Sequence, residues 1–258
     1  MVSGRNIIAA ARRLPQNGDP MPSRSLQRRQ LSRSKIELFI DCPRCLWLDV
    51  ARGIPRPSGP PFTLNNAVDA LMKAEFDRFR TAGEPHPLFA SVGLDAVPFR
   101  HPELDRWRHN FTGVRWLDEE TGWTMFGAVD DLWQARSGEI LVADYKATAR
   151  AETPGVRHLY PSYRRQMDVY QYLVRRQGLE VSNRGWFVYT NGDGRAVEWG
   201  EKLCFTTTLV PYDGDDAWVL DVFRRAVATI GEDTAPLPGP ECEYCDYVAK
   251  AASSALPS

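Results

Sequence analysis

Apolar positions along the chain recur with two periods, and the sharpest interruption falls in Gly138-Glu139-Ile140-Leu141-Val142-Ala143-Asp144-Tyr145-Lys146. A short unbroken apolar run after a glycine predicts a buried strand. Side chains alternate along a strand, so Asp144 and Lys146 share one face and Tyr145 takes the other. Phe111 to Trp116 and Trp123 to Leu132 predict two strands before it, with Arg136-Ser137-Gly138 as a hairpin turn. Three successive antiparallel strands are therefore expected. Arg184 to Thr190 is a further strand, followed by Asn191-Gly192-Asp193-Gly194 as a turn, and Ala196 to Trp199 and Leu203 to Val210 continue the sheet. Cys204 is then read as a small buried hydrophobe.

The helical period appears four times. A helix starting at Ser34 would carry Glu37 in its first turn as a capping box and run through Ile36, Leu38, Phe39 and Ile40. Asn65 to Arg80 places Val68, Leu71, Met72, Phe76 and Phe79 at helical spacing, with Asp69 and Lys73 four apart as an ordinary surface pair. Tyr160 to Arg176 aligns Tyr163, Met167, Tyr170, Leu173 and Val174, and Asp215 to Ile230 forms the last helix. Between these, 54–61 and 236–240 are proline-rich connections and 83–107 is irregular, with His86, His101 and the later His109 expected at the surface or in loops.

At 258 residues the chain has room for one domain with extensions. The division expected is a disordered basic arm over 1–31, a folded domain over 32–248 and a flexible tail over 249–258. The arm is Arg-rich and acid-poor, without the apolar core of a secretory signal; a mitochondrial presequence and a true start near Met21 are the other readings of it. No apolar run reaches the roughly 20 residues that a spanning helix needs, so no membrane partner is expected. A net charge of -1 does not advertise nucleic-acid binding, although a local basic groove beside acidic ligands is compatible with it.

Two features carry chemistry. A carboxylate and an ammonium where apolar burial should continue require a partner or an ion, and Asp130 at the neighbouring segment supplies a second carboxylate. Two such acids form a hard-oxygen site suited to magnesium or manganese. The second feature is Cys42-Pro43-Arg44-Cys45 and Cys242-Glu243-Tyr244-Cys245. Paired Cys-x-x-Cys motifs in a chain with five cysteines favour a metal centre in a reducing, cytoplasmic setting over disulfides. Four thiolates suit tetrahedral zinc or an iron-sulfur cluster, with reduced free thiols as the remaining reading.

Gly127-x-x-Asp130, Asp144-x-Lys146 and Gln166-x-x-x-Tyr170, in that order, resemble the core signature of the PD-(D/E)XK nuclease superfamily. The likeness is to its RecB-like branch and to the CRISPR-associated iron-sulfur exonucleases, and it covers about Ser32 to Tyr247. It implies an α/β (α+β) fold, a restriction-endonuclease-like central mixed sheet flanked by helices, with the N- and C-terminal segments joined by the four cysteines. It also implies a Mg2+- or Mn2+-dependent deoxyribonuclease, an exonuclease or endonuclease of DNA repair, recombination or defence, acting on DNA that is single-stranded or has free ends. On this resemblance Asp130, Asp144, Lys146, Gln166 and Tyr170 are catalytic, and the metal ligands are Asp130, Asp144, the Tyr145 carbonyl and Asp69. Relatives often carry histidine at the place of Asp69, which makes it either an extra ligand or a mark of lost activity. Relatives also hold a [4Fe-4S] cluster by one early and three late cysteines; the split here is two and two, which keeps zinc open. Arg164 and Arg165 would contact phosphates, or simply form a solvated helix face. The competing reading is a catalytically inactive DNA-binding or assembly module that keeps the fold and the cysteine centre, and a third makes that centre a redox sensor.

Overall fold

The computed structural model describes residues 29–255, apart from 61, 62, 196 and 199. In chain order the elements are β1 (Gln30–Ser32), α1 (Arg33–Asp41), α2 (Pro43–Arg52), α3 (Thr63–Ala82), α4 (Pro87–Ala90), β2 (Ala96–Pro98), α5 (Leu104–Arg108), β3 (Val114–Asp118) and β4 (Trp123–Gly127). They continue with β5 (Asp131–Ala135), β6 (Ile140–Thr148), a 3-10 turn at Val156–His158, α6 (Pro161–Arg175), β7 (Arg184–Gly192), β8 (Phe205–Asp213), α7 (Val219–Ile230) and α8 (Glu243–Ala255). The expected mixed sheet flanked by helices is present, curled into a five-stranded sheet in the order β2-β5-β6-β7-β8 and a three-stranded one in the order β1-β4-β3. Strand β6 is central and runs parallel to β7, while its pairing with β5 is antiparallel through the expected turn at Gly138. No helix among the described residues is long and apolar enough to cross a membrane.

The alternation predicted for β6 holds. Ile140 and Val142 join the larger core beneath α6, α1 and α7, whereas Leu141, Ala143 and Tyr145 pack with Met72 and Phe76 of α3 and with Trp133. The two faces therefore have separate cores, and Asp144 and Lys146 belong to the α6 side.

The continuous strand expected over 123–132 is instead two strands in different sheets. β4 ends at Gly127 and β5 begins at Asp131, leaving Ala128 to Asp130 unpaired between them. The break follows from how closely α6 approaches. A Cβ on Gly127 would lie 2.8 Å from the Tyr170 ring, and one on Gly113 would lie 2.6 Å from the Gly127 carbonyl oxygen. Chain and helix meet here only because both positions lack a side chain. Asp130, outside any ladder, is thereby free to aim its carboxylate at β6.

Several local expectations shift. Ser32, not Ser34, caps α1, its Oγ accepting from the Lys35 N–H at 3.3 Å. Glu37 makes no capping box but accepts from Arg165 of α6 at 2.6 and 3.1 Å. The strand β7 runs on through Gly192, and the Asp193 N–H closes on the Cys204 carbonyl at 2.8 Å. Ala196 and Trp199 lie outside the described residues, and no strand covers the two between them. Cys204 is exposed, because it precedes the solvent-facing start of β8. His86 is buried, stacked on Phe76 at 4.1 Å and capping α4 through its ring nitrogen. Most of the expected N-terminal arm lies outside the described residues, but Gln30 and Leu31 belong to β1, with Leu31 fully buried. At the other end α8 extends to Ala255, within the expected tail.

Beside Asp130 stands an acid that the motif reading passes over. Asp131 is fully buried on the α3 side. It pairs with Arg80, accepts from Arg108 at 2.6 Å, from its own strand's Leu132 N–H at 2.9 Å, from the Trp133 indole at 3.1 Å and from the Tyr145 hydroxyl at 2.9 Å. Removing a fully compensated buried charge strands its partners, at a cost of about 3 to 5 kcal/mol. Asp131→Ala is therefore expected to lower unfolding free energy by about that amount in urea denaturation, and a loss under about 1 kcal/mol would contradict the structural role assigned here.

Candidate active site and cysteine centre

An open cleft of about 320 Å³ lies between α3, β6, β7 and the start of α6. Its walls include Asn65, Asn66, Asp69 and Lys73 from α3, Arg108 and Asn110 from the segment after β2, and Asp130 from the β4–β5 break. Tyr145, Lys146, Ala147, Tyr163 and Thr190 line it too. Asp130, Asp69 and Lys146, all singled out by sequence, face this one space. Asp144 does not line it; the side chain is completely buried beneath Lys146.

Lys146 holds the site together. Its ammonium forms an ion pair with Asp144 Oδ2, donates to Gln166 Oε1 at 3.1 Å and lies 4.4 Å from the centre of the Tyr163 ring. Gln166 Nε2 in turn donates to the Tyr170 hydroxyl at 3.0 Å. Gln166 and Tyr170, one turn apart on α6, thus form a relay that fixes the lysine from behind. Burial by itself lowers the Lys146 ammonium, but the carboxylates of Asp144 and Asp130 outweigh it and hold the pKa above the usual lysine value.

The carboxylates are correspondingly crowded. Burial pushes the Asp144 carboxyl up to about 6, with Lys146 opposing the rise and Asp130 adding to it. Both Asp144 oxygens are buried without a hydrogen-bond partner, so the ion pair alone compensates them. Asp130 Oδ2 accepts from the Tyr145 N–H at 2.9 Å, and its Oδ1 from Lys73 at 3.2 Å. Lys73 also donates to Asp69 at 2.9 Å, so it bridges two acids of the cleft and is more than the ordinary surface pair expected. Burial and the Asp130 carboxylate raise the Asp69 carboxyl as well, with Lys73 opposing.

This donor set fits a hard divalent cation. Asp69 and Asp130 at the cleft wall, with Asp144 buried behind them and balanced only by the Lys146 ion pair, are the hard oxygen donors that magnesium or manganese would satisfy. Hard oxygen donors without thiolate or imidazole also disfavour zinc at this place.

Sequence reasoning missed Lys73, Arg108, Tyr163 and Asp131. Arg108 clamps both Asp77 oxygens at 2.9 and 3.0 Å and Asp131 at 2.6 Å while lining the cleft. It sits in a stretch with no periodic pattern, so only the fold could place it. Arg164 and Arg165 do not reach the cleft; Arg165 is taken by Glu37 and Arg164 is exposed.

The cysteines form the second centre. Cys42 caps α2, Cys45 lies in its first turn, and Cys242 and Cys245 stand in the same relation to α8. Their sulfurs lie within 4.8 Å of one another, with Cys42–Cys245 at 3.7 Å, Cys45–Cys242 at 3.6 Å and Cys45–Cys245 at 3.7 Å. The expected join between the two ends of the domain is thus formed by side chains that can hold a metal.

No curated protein matches this chain in sequence. Among solved structures it is similar to one described as the crystal structure of SSO0001, at 11% identity and a TM-score of 0.42, covering 86% of this chain and 84% of that one. The family model for the PD-(D/E)XK nuclease superfamily matches residues 30–249, a span that takes in the acids, Lys146, Gln166, Tyr170 and all four cysteines of the metal-binding group. This chain belongs to the PD-(D/E)XK nuclease superfamily, whose members generally use divalent metals to cleave nucleic acid.

Proposed function

We propose that this protein is a magnesium- or manganese-dependent deoxyribonuclease of the RecB-like kind, hydrolysing phosphodiester bonds in DNA that is single-stranded or has free ends. Its setting on this reading is cytoplasmic, in DNA repair, recombination or defence. The observation that supports it is that Asp130 and Lys146 face one open cleft, with Asp144 buried against the lysine as its ion-pair partner and Gln166 bracing it.

Asp130, Asp144 and the Tyr145 carbonyl would hold the ion, with Asp69 as a further ligand, and the bound cation would lower the pKa of a water and relieve phosphoryl charge. The side chains do the rest. Lys146, kept protonated by its carboxylate neighbours, acts as a donor toward the phosphoryl oxygens as negative charge grows on them. Gln166 and Tyr170 keep the ammonium from swinging away, which is positioning and not chemistry. Asn65, Asn66 and Asn110 offer neutral donors around the cleft mouth, suited to a sugar-phosphate backbone.

One observation favours the inactive-module reading: the Lys73 ammonium lies between Asp69 and Asp130 and supplies the positive charge an ion would otherwise bring. The two readings part on a direct assay. Purified protein incubated with manganese and end-labelled single- and double-stranded DNA is expected to degrade at least one of them. Asp144→Ala should abolish this, and Lys146→Met should slow it by about 10² to 10³, the effect of losing one charge-stabilising donor. Manganese binding without cleavage of any DNA would leave the module reading standing, and cleavage of RNA alone would overturn the DNA assignment.

Lys73 gives a prediction of opposite sign. Because it competes for Asp69 and Asp130, Lys73→Met should lower the manganese concentration needed for half-maximal cleavage, whereas Asp69→Ala should raise it. A metal titration of both variants checks this, and an increased requirement in Lys73→Met would show that the lysine supports the site and does not compete for it.

A further inference from the structure

The four cysteines suit two centres on sequence grounds, and their spacing discriminates between them. A single zinc ion binds thiolates at about 2.3 Å in a tetrahedron, whose edge is about 3.8 Å. The sulfur separations of 3.6, 3.7 and 3.7 Å, with all four atoms within 4.8 Å, match that edge. A four-iron cluster places each thiolate on its own iron at a separate corner of a cube. The ligand sulfurs then stand apart by the cube's width plus the outward bonds, which the gathered sulfurs here leave no room for.

The surroundings are built for the same object. Each pair starts a helix, so both present backbone N–H groups and the positive end of the helix dipole to thiolates. The Gly239 N–H donates to Cys42 Sγ at 3.2 Å, and Arg56 Nη2 donates to Cys242 Sγ at 3.2 Å. Four thiolates on one divalent ion carry a net double negative charge, which these donors offset. Arg56 is itself held by Asp41 at 2.6 Å and lies 4.6 Å from the Tyr244 ring centre, within the late cysteine motif. Gly239 reaches Cys42 only because it is glycine: a Cβ there would fall 2.1 Å from the Asp41 carbonyl oxygen. Both the even split of ligands and this close cradle separate the centre from the one-plus-three cluster arrangement that the family resemblance implies.

We infer that Cys42, Cys45, Cys242 and Cys245 form a single-ion tetrathiolate zinc site, with Arg56 and the Gly239 amide as its hydrogen-bond partners, and not an iron-sulfur cluster. The site is closed, since four protein ligands leave no position for substrate, so its role is to fasten the chain ends.

The test uses the full chain, expressed with added iron and cysteine and purified anaerobically, so that either centre can form. Elemental analysis is expected to give about one zinc per chain and negligible iron, with no visible chromophore. Exchange into cobalt(II) should produce the intense red-region bands of tetrahedral thiolate coordination. About four irons with matching sulfide would overturn the inference, as would a metal-free protein with titratable thiols or disulfides. Since cysteine variants can fail to fold, Arg56→Gln provides the second measurement. It keeps all four ligands and should weaken zinc retention against a competing chelator by about 10-fold or more, the usual effect of losing a partner to a metal ligand. Unchanged retention would remove Arg56 from the site.

Discussion

The ion pair of Asp144 with Lys146 occupies the end of the central strand, on a face where Ile140 and Val142 have already committed the sheet to apolar packing. Charges there lose their hydration at an effective cost of several kcal/mol each, and one contact does not return it. The neighbourhood is arranged accordingly. Gln166 accepts from the ammonium, the Tyr163 ring lies beneath it, and Asp130 contributes a second negative charge. Helix α6 can deliver Gln166 and Tyr170 only by lying almost against the backbone at Gly127, and that approach is what ends β4 and frees Asp130. The motif residues are therefore mutually dependent: the glycine permits the helix, the helix braces the lysine, and the break presents the acid.

Asp130 and Asp131, adjacent in sequence, do opposite work on opposite faces. Asp130 accepts from the Tyr145 backbone at 2.9 Å, and Asp131 accepts from the Tyr145 hydroxyl at 2.9 Å. One residue of β6 is thus gripped at both ends by consecutive acids, which pins the strand against slipping, since a one-residue slip would exchange its faces. The partly exposed acid shares its charge with Lys73 at the cleft wall, while the buried one is fully committed to Arg80, Arg108 and Trp133. Placement on the sheet, not residue type, separates the carboxylate that faces the cleft from the one buried in the core.

What the sequence disclosed follows the range of the interactions involved. The β6 alternation, the α6 face and the hairpin at Gly138 depend on neighbours a few residues away, and they were legible. So was the spatial grouping of Asp130, Asp144, Lys146, Gln166 and Tyr170, because an ordered motif carries its spacing with it. The split of 123–132 was not legible, since its cause is the Tyr170 ring packing on Gly127 from 43 residues along the chain. Lys73 read as an ordinary i,i+4 partner of Asp69 because nothing local announces that Asp130 lies across from it. Arg108 and Asp131 likewise meet only in three dimensions. Cys204 differs for a simpler reason: the apolar run from Leu203 starts two residues before β8 does, at its solvent-exposed end.

The cysteine centre and the acidic cleft are separate sites, yet one helix runs between them. Helix α1 begins at Arg33, whose charge bears on both Asp144 and Tyr170, and its C-terminal neighbour is Cys42. Nine residues at 1.5 Å each make that separation about 13 Å. Midway along it, Glu37 holds Arg165 of α6, one residue before Gln166. Short helices are marginal by themselves and take their stability from what they pack on. A metal joining Cys42 to Cys245 would close a loop of some 200 residues and fix the far end of α1 to α8, and the Glu37–Arg165 pair would carry that constraint to the helix that braces Lys146. A metal bound there would act on the cleft through positioning alone, and its loss should loosen Gln166 before it disturbs Asp130, which accepts from the Tyr145 N–H of β6 and from Lys73 of α3.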